Sequence, residues 1–258
     1  MSAPDLSYRE QRDKLADRIR AHKEFANFDV ADWIEGFLAR RPRRHVLDLG
    51  CGDGNHLALY LKQVPPEGTV TGLDREPQLL ERARRAHEGA ANLALVAGTM
   101  DEPLPFPDQA FDLAFSNFAI YNARQPAFTL RELRRVLRTG GELVLIGPTR
   151  NNARELYEYN ARLTGTAIDE ITLVRTDRLR SEVLPLAREV FGDVREDVLS
   201  SRLTFPTREE FLRYFTATML YEQVAEKMQC SEAAMLAALA NTTLVVSKEM
   251  LALVATRQ

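Results

Sequence analysis

Cysteine is nearly missing from this chain. Cys51 and Cys230 are the only two in 258 residues, too few for a disulfide framework. Long apolar runs are missing as well. No stretch approaches the ~18 apolar residues of a membrane span, and the opening "MSAPDLSYREQRDKLADRIR" is charged throughout, with no apolar signal-peptide core. Nor is there an excess of positive charge. The 34 Lys and Arg against 37 Asp and Glu give a formal net charge of −3, so there is no broad attraction to phosphate backbones or anionic membranes. The expectation is a cytoplasmic protein with no membrane partner and with nucleic acid disfavoured. The chain is 45% hydrophobic, enough for a sizeable core.

The length allows one large domain or two small ones. Residues 8 to 40 carry a helical rhythm. Leu15, Ile19, His22 and Ala26 share one face, and "DVADWIEGFLAR" sets Trp33 and Phe37 one turn apart. This amino-terminal part, residues 1–44, reads either as a packing appendage or as a lid over a site. From His45 the rhythm changes. The short apolar strands "HVLDL", "TVTGLD", "NLALVAG", "FDLAFSN" and "GELVLIG" are interleaved with the helices "HLALYLKQV", "PQLLERARRAH" and "AFTLRELRRVLR". Such alternation predicts an α/β fold of right-handed βαβ units, with a parallel sheet covered on both faces.

After Gly147 the alternation loosens. Helices are expected over "NNARELYEYNARLTG", "TDRLRSEVLPLAREVFG", "TREEFLRYFTATMLYEQVAEKM" and "SEAAMLAALANT". A strand is expected over "VREDVLSSRLTF" and a closing strand over "EMLALVATR". With no low-complexity linker and no repeat, the simplest organisation is one domain over residues 1–258. Its core is residues 45–147, and residues 148–258 supply substrate-side helices and closing strands.

In "DLGCGDGN", Gly50, Gly52 and Gly54 stand where the first strand hands over to the first helix of the alternating region. At the carboxyl edge of a parallel sheet this crevice is the usual ligand site. Glycine permits positive φ and lets a ligand approach the backbone, and the helix amino terminus adds unpaired N–H groups. The dinucleotide fingerprint needs a third glycine where Asn55 stands, and a P-loop needs Lys-Ser/Thr where Asn55 and His56 stand. Neither phosphate motif is present. Asp48 precedes the loop inside the strand, and Asp74 ends the second strand, where a carboxylate can accept both hydroxyls of a ribose. The pocket calls for a nucleoside without a phosphate grip.

Four stretches, "VLDLGCGDGN", the acid in "TGLDRE", "LPFPDQAFDLAFSN" and "RVLRTGGELVLIGP", resemble in order and spacing the motifs of the class I S-adenosylmethionine-dependent methyltransferases. The resemblance spans roughly residues 40 to 150. It implies a Rossmann-like seven-stranded sheet between helical layers, its last strand antiparallel and supplied by "EMLALVATR". It also implies S-adenosylmethionine as cofactor. The methionine part would lie on the loop of Gly50, Cys51, Gly52 and Gly54 after Asp48. The ribose would lie on Asp74, beside Arg75, and the backbone of Asn117 would border the methionine part. Asp74 also reads as a helix-capping acid before Pro77, and Asn117 as a plain loop residue. One departure concerns the adenine. The family often has an acid after the third strand, where "GTMDEPLPF" puts Thr99. Either Asp101 takes that place, or Thr99 and the Met100 backbone read the adenine edge.

A sulfonium carries an already activated methyl group, so proximity, alignment and exclusion of water are the enzyme's main contributions. An amine or thiolate acceptor needs no dedicated base, whereas oxygen and carbon acceptors more often do. No base and no metal can be assigned. His45 and His87 read as structural, while His56 and His22 lie nearer the expected site and lid. Tyr8, Tyr121, Tyr157 and Tyr159 can line a pocket through aromatic faces that favour cations, or simply pack. Arg150, Asn151 and Asn152 follow the fifth strand, where the family places much of its acceptor specificity. An arginine there can grip a carboxylate or phosphate, and Asn151 can equally cap the next helix. "SNFAIY" lacks the Asn/Asp-Pro-Pro-aromatic motif of base methylation, so a small-molecule acceptor is expected. The alternatives are an RNA or protein methyltransferase, an NAD-dependent oxidoreductase, and a silent S-adenosylmethionine-binding module.

Overall fold

A computed structural model describes residues 12–165, 174, 176–218, 220–222, 228–239 and 243–258. Tyr8, and parts of the helices expected at 8–40, 207–228 and 231–242, lie outside the described residues. The chain divides into two compact units. One comprises Met1–Asp29, Arg150–Thr176 and Ser200–Glu249; the other comprises Val30–Thr149, Asp177–Leu199 and Met250–Gln258.

The second unit contains the alternating region. Its strands are β1 (His45–Leu49), β2 (Thr69–Asp74), β3 (Leu93–Ala97), β4 (Phe111–Asn117) and β5 (Leu137–Pro148). Two further strands, β6 (Val194–Thr204) and β7 (Val245–Thr256), complete a seven-stranded sheet of order β3-β2-β1-β4-β5-β7-β6. Pairs β1–β2, β1–β4, β2–β3 and β4–β5 are parallel. β7 runs antiparallel to β5, with Leu145 opposite Leu253. The closing strand expected at 249–257 is thus present and antiparallel, and it begins earlier, at Val245.

Helices α1 (Arg12–Phe25), α2 (Val30–Leu38), α3 (Leu57–Gln63), α4 (Pro77–Ala86) and α5 (Pro126–Val136) precede β5. Then come α6 (Arg154–Thr164), α7 (Leu184–Phe191, entered through a π turn at Leu179–Val183), α8 (Arg208–Thr216) and α9 (Glu232–Ala238). Pro77 and Pro126 open α4 and α5 at first-turn positions, where the missing N–H costs nothing. On α5, Leu130, Leu133 and Val136 are fully buried and join the core that Leu47, Leu49, Ala114, Leu143 and Leu253 form on the sheet. Arg135 of α5 bonds the Leu104 and Phe106 carbonyls at 3.0 and 2.8 Å and Asp108 at 2.9 Å. These bonds fix the proline-punctuated loop between β3 and β4.

The first unit packs around aromatic rings. Tyr159 of α6 stands edge-on to Phe211 and Phe215 of α8, and Phe205 to Phe211 and Phe25. Thr207 caps α8 by accepting from the Glu210 N–H at 3.2 Å, the first half of a capping box. The helix expected to run from 207 to 228 is interrupted after Thr216, at residues 217–218, and the described residues 220–222 are helical again. There the Thr216 and Thr218 hydroxyls bond the Leu212 and Phe215 carbonyls, a local alternative to helical bonding that Ser and Thr offer. Ala26, assigned to the first helical face, lies past the end of α1 in a bridge to Leu203. No helix among the described residues is long and apolar enough to cross a membrane.

Candidate functional site

The loop after β1 is shaped by three backbone positions with φ of +78° (Gly50), +58° (Gly52) and +87° (Gly54). They serve different ends. A Cβ on Gly50 would lie 2.4 Å from the Ala119 Cβ, so this glycine lets the loop press against the segment after β4. A Cβ on Gly54 would meet Ala83 and Leu57 at 3.0 Å and the His87 ring at 3.2 Å. His87 Nε2 sits 2.9 Å from the Gly54 carbonyl oxygen, so the histidine read as structural latches the end of the loop. At Gly52 a Cβ would meet nothing within 4 Å. That position faces open space, where a ligand can reach the backbone.

Asp74 ends β2 and ties these parts together. Its Oδ2 accepts from the Gly52 N–H at 2.8 Å and its Oδ1 from the Glu76 N–H at 2.9 Å. The second bond holds the main chain of Glu76, which, rather than Asp74, is the N-cap of α4 and carries no side-chain cap bond. The first reaches back 22 residues to the loop. The main-chain N–H of Gly98 donates to the Asp74 carbonyl at 3.0 Å, which brings the post-β3 segment alongside. In that segment Thr99 Oγ1 accepts from the Asp101 N–H at 3.2 Å, and Asp101 Oδ1 accepts from the Arg124 N–H at 2.7 Å. The Met100 carbonyl accepts from Thr129 Oγ1 at 2.8 Å. The Met100 Cε lies 3.4 Å from where a Cβ on Gly50 would stand. Arg75 pairs with its neighbour Glu76 at 3.6 Å on the surface.

Beneath the loop lies a buried polar group. Asp48 on β1 is 2% exposed, Asn117 at the end of β4 is 7% exposed and Tyr60 of α3 is fully buried. Asn117 Nδ2 donates to the Tyr60 hydroxyl at 2.6 Å. Asp48 Oδ1 and Asn117 Oδ1 have no partner, and a buried acceptor without a donor costs about 1–3 kcal/mol. Burial, and then the charge of Asp74, push the Asp48 carboxyl up to about 7. Burial, and then Asp48, also push up the Cys51 thiol, so that sulfur is inert packing against Gly72 rather than a nucleophile. Phe118, next to Asn117, is held at φ +54° by the bond from its N–H to the Ile146 carbonyl at 2.7 Å.

The cofactor candidates Asp48, Gly50, Cys51, Gly52, Gly54, Asp74, Thr99, Met100, Asp101 and Asn117 therefore converge in the second unit. Tyr121 also belongs to that unit, its ring against Gly147 at the end of β5. His22, Arg150, Asn151 and Tyr157 belong to the first unit, and Tyr8 lies outside the described residues. His22 is half-buried, edge-on to Tyr214 at 6.1 Å. Burial and then Lys248 lower it to about 4, so it stays neutral near pH 7. Asn151 donates to Glu249 at 3.0 Å, while Ala153, not Asn151, is the N-cap of α6. Arg150 is exposed and Tyr157 half-buried. Tyr60 was missed by sequence reasoning. Its signal was a tyrosine on the buried face of a helix, where the hydroxyl must find a partner.

A groove of about 420 Å³ beside α4 and β3 is lined by Arg84, His87, Leu93 and Leu95. Glu81 also lines it and already holds Arg84 and Arg85. None of the cofactor candidates lines it, although His87 also bonds the Gly54 carbonyl. Among the described residues no three His, Cys, Asp or Glu side chains gather as a metal would need.

A family model described as a methyltransferase domain matches residues 41–189, more than half of the chain. The chain belongs to the class I S-adenosylmethionine-dependent methyltransferases. Among curated proteins, this chain is 34% identical over 146 residues to a demethylmenaquinone methyltransferase of Symbiobacterium thermophilum, covering 54% of this chain and 57% of that one. It is 39% identical over 111 residues to an uncharacterized 37.1 kDa protein in transposon TN4556 of Streptomyces fradiae, covering 43% of this chain and 32% of that one. The chain thus spans between a third and about half of the length of these relatives. Among solved structures, the YcgJ protein of Bacillus subtilis has the same fold, with a TM-score of 0.60 at 17% identity over 88% of this chain and 98% of that one.

Proposed function

We propose that this protein transfers the methyl group of S-adenosylmethionine to a small-molecule acceptor. The observation that carries the reading is the pair of buried, unpartnered oxygens, Asp48 Oδ1 and Asn117 Oδ1, beneath a loop whose Gly52 opens to space. Two acceptors without donors suit an ammonium group, and the cofactor's methionine part carries one.

In this reading Asp48 and Asn117 hold the ammonium end. Gly52 and its neighbours let the methionine part lie against the backbone. Asp74 retains lone pairs for the ribose hydroxyls while it braces the loop, since each carboxylate oxygen can accept more than one bond. Thr99, Met100 and Asp101 border the adenine, with Arg75 at the rim. When bound, the cofactor supplies a methyl group on a sulfonium, ready for in-line displacement. The chain's part is then to align the acceptor and to keep water out. Tyr121 lies nearest the fifth strand for that task, and Tyr8, His22, Arg150, Asn151 and Tyr157 remain acceptor-side proposals. So does the single-domain organisation with residues 1–44 as lid and 148–258 as enclosing helices.

The small-molecule acceptor is supported by the net charge of −3 and by the relative whose name specifies demethylmenaquinone. The test is a panel of small-molecule acceptors, RNA and protein, followed by conversion of S-adenosylmethionine to S-adenosylhomocysteine. Turnover with a small molecule alone supports the reading. Turnover only with RNA or protein, or cofactor binding without any turnover, overturns it.

A further inference from the structure

The sequence presents Tyr60 as one more apolar contact on α3. Its ring stacks on Phe115 with centroids 4.8 Å apart and planes 21° apart, and Phe37 closes the far side of Phe115 edge-on. A phenylalanine would pack there as well. The hydroxyl is what needs explaining, because burying one costs about 1–3 kcal/mol unless it is bonded. Its bond is to the Asn117 amide, 2.6 Å away.

An amide group has nearly the same shape with its oxygen and nitrogen exchanged, so only its partners decide which way it points. A phenol can accept one hydrogen bond and donate another. Here it accepts from Nδ2, which turns Asn117 Oδ1 away from the phenol; that oxygen, like Asp48 Oδ1, is buried without a partner. Burial, and then the charge of Asp48, hold the phenol proton more tightly. That proton is therefore retained.

We infer that Tyr60 is a positioning residue: it fixes the Asn117 amide so that Oδ1, with Asp48, faces a cationic nitrogen of the ligand. The inference rests on the reading that this crevice takes S-adenosylmethionine. Without the phenol no other described residue bonds the Asn117 amide. Nδ2, carrying partial positive charge, would then spend part of its time facing the ammonium.

Tyr60→Phe tests this because it keeps the stacked ring. S-adenosylhomocysteine and 5′-methylthioadenosine share the adenosine and the sulfur, but only the first carries the amino-acid end. Tyr60→Phe should weaken S-adenosylhomocysteine roughly five- to tenfold, as loss of about one hydrogen bond would, and leave 5′-methylthioadenosine unchanged. In an Asn117→Ala background the same substitution should change S-adenosylhomocysteine affinity by less than about twofold, because the coupled partner is gone. Equal losses for both ligands would mean a merely structural role, and unchanged affinity for both would mean none; either overturns the inference. If the unmodified protein binds neither ligand, the cofactor reading itself falls, an outcome distinct from both.

Discussion

Asp74 Oδ2 lies 2.8 Å from the main-chain nitrogen of Gly52, while Oδ1 holds that of Glu76 at 2.9 Å. One carboxylate thus braces the glycine loop and the turn into α4 before any ligand arrives. The proposed ribose role is compatible with this bracing, so the two must be measured together. Asp74→Ala should lower the thermal midpoint of the free protein, because two N–H groups lose a charged acceptor, each bond being worth about 1.5–3 kcal/mol. Affinity for S-adenosylhomocysteine should also fall at least tenfold. An unchanged midpoint would contradict the bracing role, and unchanged affinity the ribose role.

Two glycines of one loop should respond in opposite ways. Gly54→Ala forces a Cβ to within 3.0 Å of Ala83 and Leu57, an overpacking that typically costs about 1–3 kcal/mol. Its main effect should be on stability. Gly52→Ala meets nothing within 4 Å and pays only about 1–2 kcal/mol for its left-handed backbone, yet it places a methyl group where the ligand approaches. Its main effect should be on cofactor affinity. Denaturation midpoints and dissociation constants for both variants check this, and a Gly52→Ala protein that binds normally would contradict the proposed approach to the backbone.

Asp48 gives a pH signature. Its carboxyl ionises near 3.8 in the unfolded chain and at about 7 in the folded one. Between those values the folded state keeps a proton that the unfolded state has lost. Stability contributed by this group is therefore lost as pH rises from about 4 to about 7, and Asp48→Asn should flatten that part of the profile. A cationic ligand nitrogen favours the ionised carboxylate, so cofactor affinity should rise from about pH 6 to about pH 8 in the unmodified protein and stay level in Asp48→Asn. Matching profiles for the two proteins would contradict the assignment.

The strands β1, β2 and β4 were legible to the residue, because continuous apolar runs bounded by turn residues have few other readings. The glycine loop, Asp74 and the closing strand were legible for the same local reason. Tyr60 was not, since a buried tyrosine and a buried phenylalanine leave the same helical pattern. The break after Thr216 was hidden because threonine hydroxyls, not glycine or proline, end that helix. The first unit could not be foreseen as a unit. Its parts come from three separated stretches of chain, and no local periodicity records which of them meet.

Residues 1–44 are expected to form a lid or an appendage, and 1–28 are the part of them that includes α1. Within the first unit α1 buries Ala21, sets Phe25 against Phe205 and pairs Asp17 with Arg213 and Lys14 with Glu222. Surface pairs of this kind contribute only about 0–1 kcal/mol each, so the apolar contacts dominate. Deleting residues 1–28 should lower the thermal midpoint and, if they are a lid, also weaken cofactor binding and turnover. A lowered midpoint with unchanged affinity would refute the lid and leave packing as their role.

The most direct measurement is a calorimetric titration of the unmodified protein with S-adenosylhomocysteine, with NAD as the control. A loop of three glycines without a phosphate grip, above two unpartnered acceptors, predicts saturable binding of S-adenosylhomocysteine and little heat from NAD. Tight binding of NAD with none of S-adenosylhomocysteine would contradict the account at its centre.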